Sequence, residues 1–242
     1  TIFIVIAAFA IILLLWIFVY IRQIRLRNEQ EKTSLQQQLL RSQMNPHFIF
    51  NALSSVQNSI ITEKPALASK YLAKFSKLMR NILEGSSMEL ITLEQELVTI
   101  EHYLALQKIR FGEKFDFLID LDENLDTETL LVPPMLAQPF IENAIEHGFR
   151  YMETKGMLHV RFRSLADRIR IEIEDDGIGR KKAAEIYKRD KKDYKSMATN
   201  ITLQRIKAMN RRKKRRITLQ IIDLTDENGN ATGTLVRFEM PV

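Results

Sequence analysis

No cysteine occurs among the 242 residues. Disulfides, thiolate nucleophiles and zinc–sulfur sites are therefore excluded, and the chain fits a reducing compartment. Histidine is nearly as scarce: His47, His102, His147 and His159 are scattered, which argues against a histidine metal cluster. Glycine numbers only eight, so two of them within five residues, in "DDGIG" at 175–179, stand out. Residues 2–21, "IFIVIAAFAIILLLWIFVYI", lack charge altogether. At about 1.5 Å per residue they would make some 30 Å of apolar helix, the thickness of a bilayer core. The apolar run is too long for a secretory signal and no small-residue cleavage site follows it, so a retained transmembrane helix is expected.

Arg22, Arg25 and Arg27 follow that span, and Trp16 and Tyr20 lie near its end. The positive-inside rule then puts everything after Ile21 in the cytoplasm, with the protein in the inner membrane. Because the chain opens on Thr1 rather than Met, a preceding sensor segment is expected. The formal net charge is +6, and "RRKKRR" at 211–216 adds a basic run. No aromatic side chains interrupt that run to stack on bases, so a solvated helix end or anionic lipid is the better reading and no direct nucleic-acid partner is expected.

Residues 22–40 read as a polar helical linker. Past Pro46, Ile49, Leu53, Val56 and Ile60 recur at spacings 4, 3, 4, an apolar stripe on one helix. A second helix from about Pro65 carries Leu67, Tyr71, Phe75, Leu78 and Ile82. Two such helices form a hairpin without a full core, so pairing with a second copy into a four-helix bundle is expected. After "EGSS" at 84–87 a third helix should run from Leu93 to Arg110, with Thr92 and Gln95 as a capping box. Beyond Gly112 the period changes to 2: residues 115–121, 158–162, 169–173, 217–221 and 236–240 each alternate apolar with polar. That describes a mostly antiparallel sheet, wet on one face and covered on the other by helices near 134–149 and 198–213.

His47 follows a proline in "QMNPHFIFN". Pro46 removes a helical hydrogen bond and makes a bend before His47 plausible. At about 100° per residue His47 falls roughly 160° from the apolar stripe, on the side of Asn51, Ser54 and Asn58. A core histidine would sit on the stripe; this one heads a polar row. Asn143 lies in the apolar pattern of "PPMLAQPFIENAIEHG" at 133–148, where an inward amide needs a partner or, by its carbonyl, helps hold Mg²⁺. Asp175 ends a strand, where its carboxylate can accept from an exocyclic amine while Gly177 and Gly179 let a ring approach.

Together "NPHFIFNAL", "ENAIEHG" and "DDGIG", with "YLAKFSKLMRNILEGS", "ITLEQELVTIEHYLALQKIRFG" and "ITLQRIKAMN", resemble the LytS-type sensor histidine kinases. The resemblance covers about Leu39 to Pro241. Beyond the expected transmembrane helix (1–21) and linker (22–40), it implies an α-helical hairpin for dimerisation and phosphotransfer (41–111), and an α/β two-layer GHKL (Bergerat) ATP-binding domain with a mixed, mostly antiparallel sheet (112–242). It further implies a homodimer using ATP and Mg²⁺, with His47 the phosphoacceptor, Asn143 on the magnesium side, His147 and Gly148 in the same box, and Asp175, Gly177 and Gly179 at the adenine. A response regulator with a receiver domain is the implied partner. Asn51, one turn beyond His47, is a candidate for orienting a water in phosphatase chemistry.

Two departures are visible. Relatives often carry an acid after the histidine; here Phe48 stands there, so the proton acceptor is unassigned. The usual glycine-rich box is "KSMATNITLQRI", without glycine; Ser196, Thr199 and free amides at a helix start are then the phosphate-side groups. Between Gly179 and Ser196 lie eight Lys or Arg against three acids, which suits a lid over a polyanion. The alternative function is an ATP-binding scaffold without catalysis that signals by dimer rearrangement.

Overall fold

A computed structural model describes residues 2, 11–27, 29–30, 46–61, 65–86, 88–189, 197–211 and 216–241. The chain divides into two units, Thr1–Gln38 and Leu39–Val242. In the first, residues 11–27 form helix α1. Its Ile, Leu, Trp and Phe side chains are exposed on every side, and Trp16 stacks on Tyr20 with ring centroids 5.5 Å apart. Among the described residues no helix is long and apolar enough to cross a membrane; residues 3–10 of the expected span lie outside the described residues.

In the second unit α2 (Pro46–Ile61) and α3 (Pro65–Ser86) pack against each other. Pro46 is the first residue of α2, a position where its missing N–H has no helical partner to lose. The expected bend ahead of it falls outside the described residues. Tyr71, Leu78 and Ile82 of α3 are buried as their spacing predicts. Of the α2 stripe, Val56 packs on the core while Leu53 is 50% and Ile60 60% exposed in the single chain, and Ala52 is buried. Within one chain α3 and α4 cover only a narrow strip of α2, and small Ala52 lies in it with Tyr71 and Val56 in one cluster.

Strand β1 (Ile91–Thr92) leads into α4 (Leu93–Phe111). Thr92 accepts from the Gln95 N–H while the Gln95 side chain accepts from the Thr92 N–H, completing the capping box. β1 pairs antiparallel with β3 (Leu131–Val132), a two-stranded ladder too short for its periodicity to show in sequence.

The main sheet has the order β2-β4-β5-β7-β6, made of β2 (Phe115–Leu121), β4 (Gly156–Leu165), β5 (Arg168–Asp175), β6 (Thr218–Thr225) and β7 (Ala231–Pro241). Only β2–β4 is parallel, so the sheet is mixed and mostly antiparallel, as expected. Register aligns Val160, Ile173 and Val236 in one row and Phe162, Ile171 and Phe238 in another; all are buried. The opposite face is charged and paired across strands: Arg161 with Glu174, Arg237 with Glu172, Arg170 with Glu239 and Arg163 with Asp120. "DENGN" makes the β6–β7 turn, where the Asp226 carboxylate accepts the N–H of Asn228 and Asn230.

Covering the apolar face are α4, α5 (Gln138–Asn143) and α7 (Met197–Asn210), whose Ile100, Leu104, Ile141 and Ile206 enter the same core as the strands. The helix expected from residue 134 begins only at Gln138. Pro133, Pro134 and a left-handed Met135 (φ 57°) occupy the intervening turn. It then widens into a π-helical turn over Ala144–Phe149. α7 ends at Asn210, whose amide donates to the Ile217 carbonyl and accepts its N–H. The basic stretch after Gly179 opens as helix α6 (Arg180–Arg189); residues 190–196 lie outside the described residues.

Candidate functional site

Strand alternation carries Asp175 to the apolar face: Ile169, Ile171 and Ile173 point inward, and Asp175 is the next position in that series. It is 8% exposed. Its Oδ1 accepts the Gly177 N–H at 3.0 Å, and the Thr234 N–H of the neighbouring strand also donates to it. Burial dominates over these donors and, with the Asp176 charge beside it, pushes the Asp175 carboxyl up to about 6.

Around it lies a cavity of about 340 Å³. Phe140, Ala144, Ala183, Ile221 and Val236 supply apolar wall, and Asn143, His147, Asp175, Thr199 and Thr234 the polar groups. An apolar slot with few convergent polar groups is the usual form of a small-molecule site. Phe140 is held edge-on to Phe238, ring centroids 5.3 Å apart.

Two glycines bring the backbone close to the carboxylate. A Cβ on Gly177 would stand 2.7 Å from both Asp175 Oδ1 and Gly148 Cα; one on Gly148 would stand 3.2 Å from the same Oδ1. The Ile178 N–H donates to the Gly148 carbonyl at 3.3 Å. Gly179 has φ +76° and no room for a Cβ beside Ala231. The box after β5 and the box on the helix are therefore two sides of one contact.

Asn143 Nδ2 donates to Thr199 Oγ1 at 3.0 Å, joining α5 to the start of α7. His147 is partly buried, and that burial holds its pKa below the usual imidazole range. The π-helical turn carries both His147 and Gly148 to the cavity; such widened turns recur at functional sites. Glu146, on the other side of the turn, is buried and accepts from Arg110 of α4.

Among the described residues no three His, Asp or Glu side chains gather to hold a metal. The polar groups here are one amide, two hydroxyls, an imidazole, the Arg180 guanidinium and a single carboxylate. That set does not cage a cation alone, but it fits Mg²⁺ held chiefly by phosphate oxygens and water.

Of the predicted site residues, Asn143, His147, Gly148, Asp175, Gly179 and Thr199 line the cavity, and Gly177 packs beneath Asp175. Ser196 lies outside the described residues. His47 and Asn51 belong to α2 and are not among the cavity's described lining; their side chains lie outside the description. Phe140, Arg180 and Thr234 line the cavity without having been foreseen. Arg180 comes directly after Gly179 and forms a two-pronged ion pair with Asp223 of β6, at 2.6 and 2.9 Å. Thr234 is opposite Asp175 in the ladder, a pairing that sequence alone does not reveal.

Residues 35–115 match the family model described as histidine kinase. The sensor histidine kinase YpdA of Escherichia coli is 34% identical over 155 residues, 64% of this chain and 26% of that protein. The sensor protein LytS of Staphylococcus haemolyticus is 31% identical over 140 residues, 58% of this chain and 24% of that protein. The chain spans about a quarter of the length of these relatives. Among solved structures, the histidine kinase domain from the Erythrobacter litoralis EL346 blue-light activated histidine kinase is similar at a TM-score of 0.46 and 17% identity, over 86% of this chain and 95% of that one.

Proposed function

For a chain related in sequence to the LytS-type sensor histidine kinases, we propose ATP-dependent autophosphorylation of His47, with transfer of the phosphoryl group to an aspartate of a response regulator. The observation that carries this reading is the cavity at which a buried carboxylate, two back-to-back glycines and the Asn143–Thr199 pair converge.

Adenine fits the apolar slot beside Phe140 with its exocyclic amine donating to Asp175, the close Gly148–Gly177 contact leaving the carboxylate accessible to a flat ring. The triphosphate then runs toward Asn143, Thr199 and the start of α7, and Ser196 is proposed from the sequence as a further phosphate-side group. Mg²⁺, when bound, neutralises phosphate charge, and Asn143 is the side chain placed to hold it through its amide oxygen. An unperturbed imidazole, with a pKa of about 6.5, is largely unprotonated near pH 7. The His47 ring nitrogen attacks the γ-phosphorus: a nitrogen–phosphorus bond forms, the bond to the β,γ-bridging oxygen breaks, and ADP leaves with that electron pair. Position 48 is phenylalanine, so the proton released from the ring passes to an acceptor on the nucleotide domain of either subunit. Asn51, one turn on, orients water in a separate reaction, the hydrolysis of a partner's phosphoaspartate to aspartate and inorganic phosphate.

The exposed Phe50, Leu53 and Ile60 of α2 support a homodimer in which a second hairpin covers them. Residues 2–21 anchor the protein in the inner membrane, supported by their uncharged sequence, the arginines beyond them and the exposed apolar side chains of α1.

The test is incubation of the full chain in detergent with γ-labelled ATP and Mg²⁺. Acid-labile label should appear on the wild type and be lost in His47→Gln and Asp175→Ala. Label persisting in His47→Gln would refute the assignment of the phosphoacceptor.

A further inference from the structure

Glu96 has no part in the chemistry above, yet it is an acid buried to 2% exposure on the core face of α4. Its two carboxylate oxygens accept separate backbone donors, the N–H of Met135 at 2.8 Å and of Leu136 at 3.2 Å. Met135 is the one non-glycine residue with positive φ among the described residues, at 57°. That conformation is unfavourable for an L side chain and persists only where its surroundings impose it. Arg205 of α7 completes the arrangement: its Nη1 donates to the Pro134 carbonyl at 2.5 Å, and its charge acts on Glu96.

Two walls of the cavity meet at this turn. Gln138, three residues after Met135, starts the helix that carries Asn143, and Arg205 lies on the helix that carries Thr199, the partner of Asn143. We propose that Glu96 is a positioning residue for nucleotide binding: its ionised carboxylate clasps the strained Met135 turn and, through Arg205, keeps the Asn143 and Thr199 helices in the spacing that the nucleotide requires. The inference rests on the ATP-binding reading of the cavity. Burial raises the Glu96 carboxyl to about 7 against the pull of the two N–H donors and Arg205, so neutralising it is within reach of ordinary pH. The charged groups acting here are Arg205 and, through Arg205, Glu89. Protonation leaves the carboxyl a poorer acceptor and removes the charge facing Arg205.

The test is the dissociation constant of a non-hydrolysable ATP analogue with Mg²⁺, measured on the full chain in detergent between pH 6 and 8, for wild type and Glu96→Gln. At pH 8 the variant should bind about tenfold more weakly than wild type, and the gap should close to under threefold at pH 6, because the wild type has by then lost the same charge. Equal binding at pH 8, or a gap unchanged between pH 8 and pH 6, would overturn the inference. Met135→Gly serves as a second variant and as the test should Glu96→Gln fail to fold. Glycine adopts φ +57° freely, so this variant should lose the Glu96-dependent weakening between pH 8 and 6; retaining it at the wild-type size would also overturn the inference. Absence of any analogue binding to the wild type at pH 8 would instead remove the nucleotide reading on which the inference stands.

Discussion

Replacing Gly177 by alanine tests the geometry of the site at its tightest point. The added Cβ would stand 2.7 Å from Asp175 Oδ1, 2.7 Å from Gly148 Cα and 3.0 Å from Gly148 C, where ordinary contact begins at 3.4 Å. The neighbours must therefore open by roughly 0.7 Å, and two of them are backbone atoms of the π-helical turn, which cannot rotate away as a side-chain tip would. Overpacking of this kind costs about 1–3 kcal/mol. If the displaced atoms are the ones that meet the base, that loss appears in binding as about 5- to 150-fold. The assay is binding of a fluorescent ATP analogue, with thermal unfolding measured in parallel. Gly229→Ala is the control: φ there is +79° but nothing lies within 4 Å of the new Cβ. It should lower stability by about 1 kcal/mol through backbone strain and leave binding unchanged, since it sits in the β6–β7 turn. A folded Gly177→Ala protein that binds within twofold of wild type would refute the placement of the base beside Asp175.

The folded-state pKa of Asp175, about 6, lies above its ordinary 3.8. Its stabilising contribution is therefore fully present below pH 3.8 and lost as pH rises through 6, about 3 kcal/mol in all. Asp175→Asn should flatten that part of a pH–stability curve. Thr199→Val removes the hydroxyl that accepts from Asn143 and should weaken Mg²⁺–nucleotide binding about fivefold, the value of one lost hydrogen bond, with little change in thermal unfolding. Arg110→Met leaves Glu146 buried without its closest cation and should cost about 3 kcal/mol in denaturant unfolding. Thr92→Ala breaks the capping box and should cost about 1 kcal/mol, measured the same way.

Periodicity made much of the fold legible. Strands 158–162, 169–173 and 236–240 each have one apolar face, and their burial matches it residue by residue. Asp175 was open to the same reading, because it continues the inward series of β5 with a carboxylate. Glu96 carried a comparable signal: it stands between Leu93 and Ile100 at spacings 3 and 4, an acid on an apolar stripe. Its partners lie some forty residues on, and no local pattern points to them. The α2 stripe shows where periodicity stops. Periodicity shows which residues are apolar but not which neighbour covers them, and Leu53 and Ile60 are exposed in a single chain. The parallel β2–β4 pairing and the β1–β3 ladder depend on contacts between distant segments. α5 starts at Gln138 rather than at residue 134, because Pro133 and Pro134 can delay a helix as readily as open one.

A π turn is an α-helix that has taken in one extra residue. Between Ala144 and Phe149 that residue sets the phase of the chain beyond it, including the side on which Gly148 meets Asp175. Deleting one residue there would leave a continuous helix with its backbone hydrogen bonds intact, yet turn everything past the deletion by about 100°. The cavity would lose its glycine wall without losing any helix. In these six residues the count of amino acids itself decides which groups face the cavity.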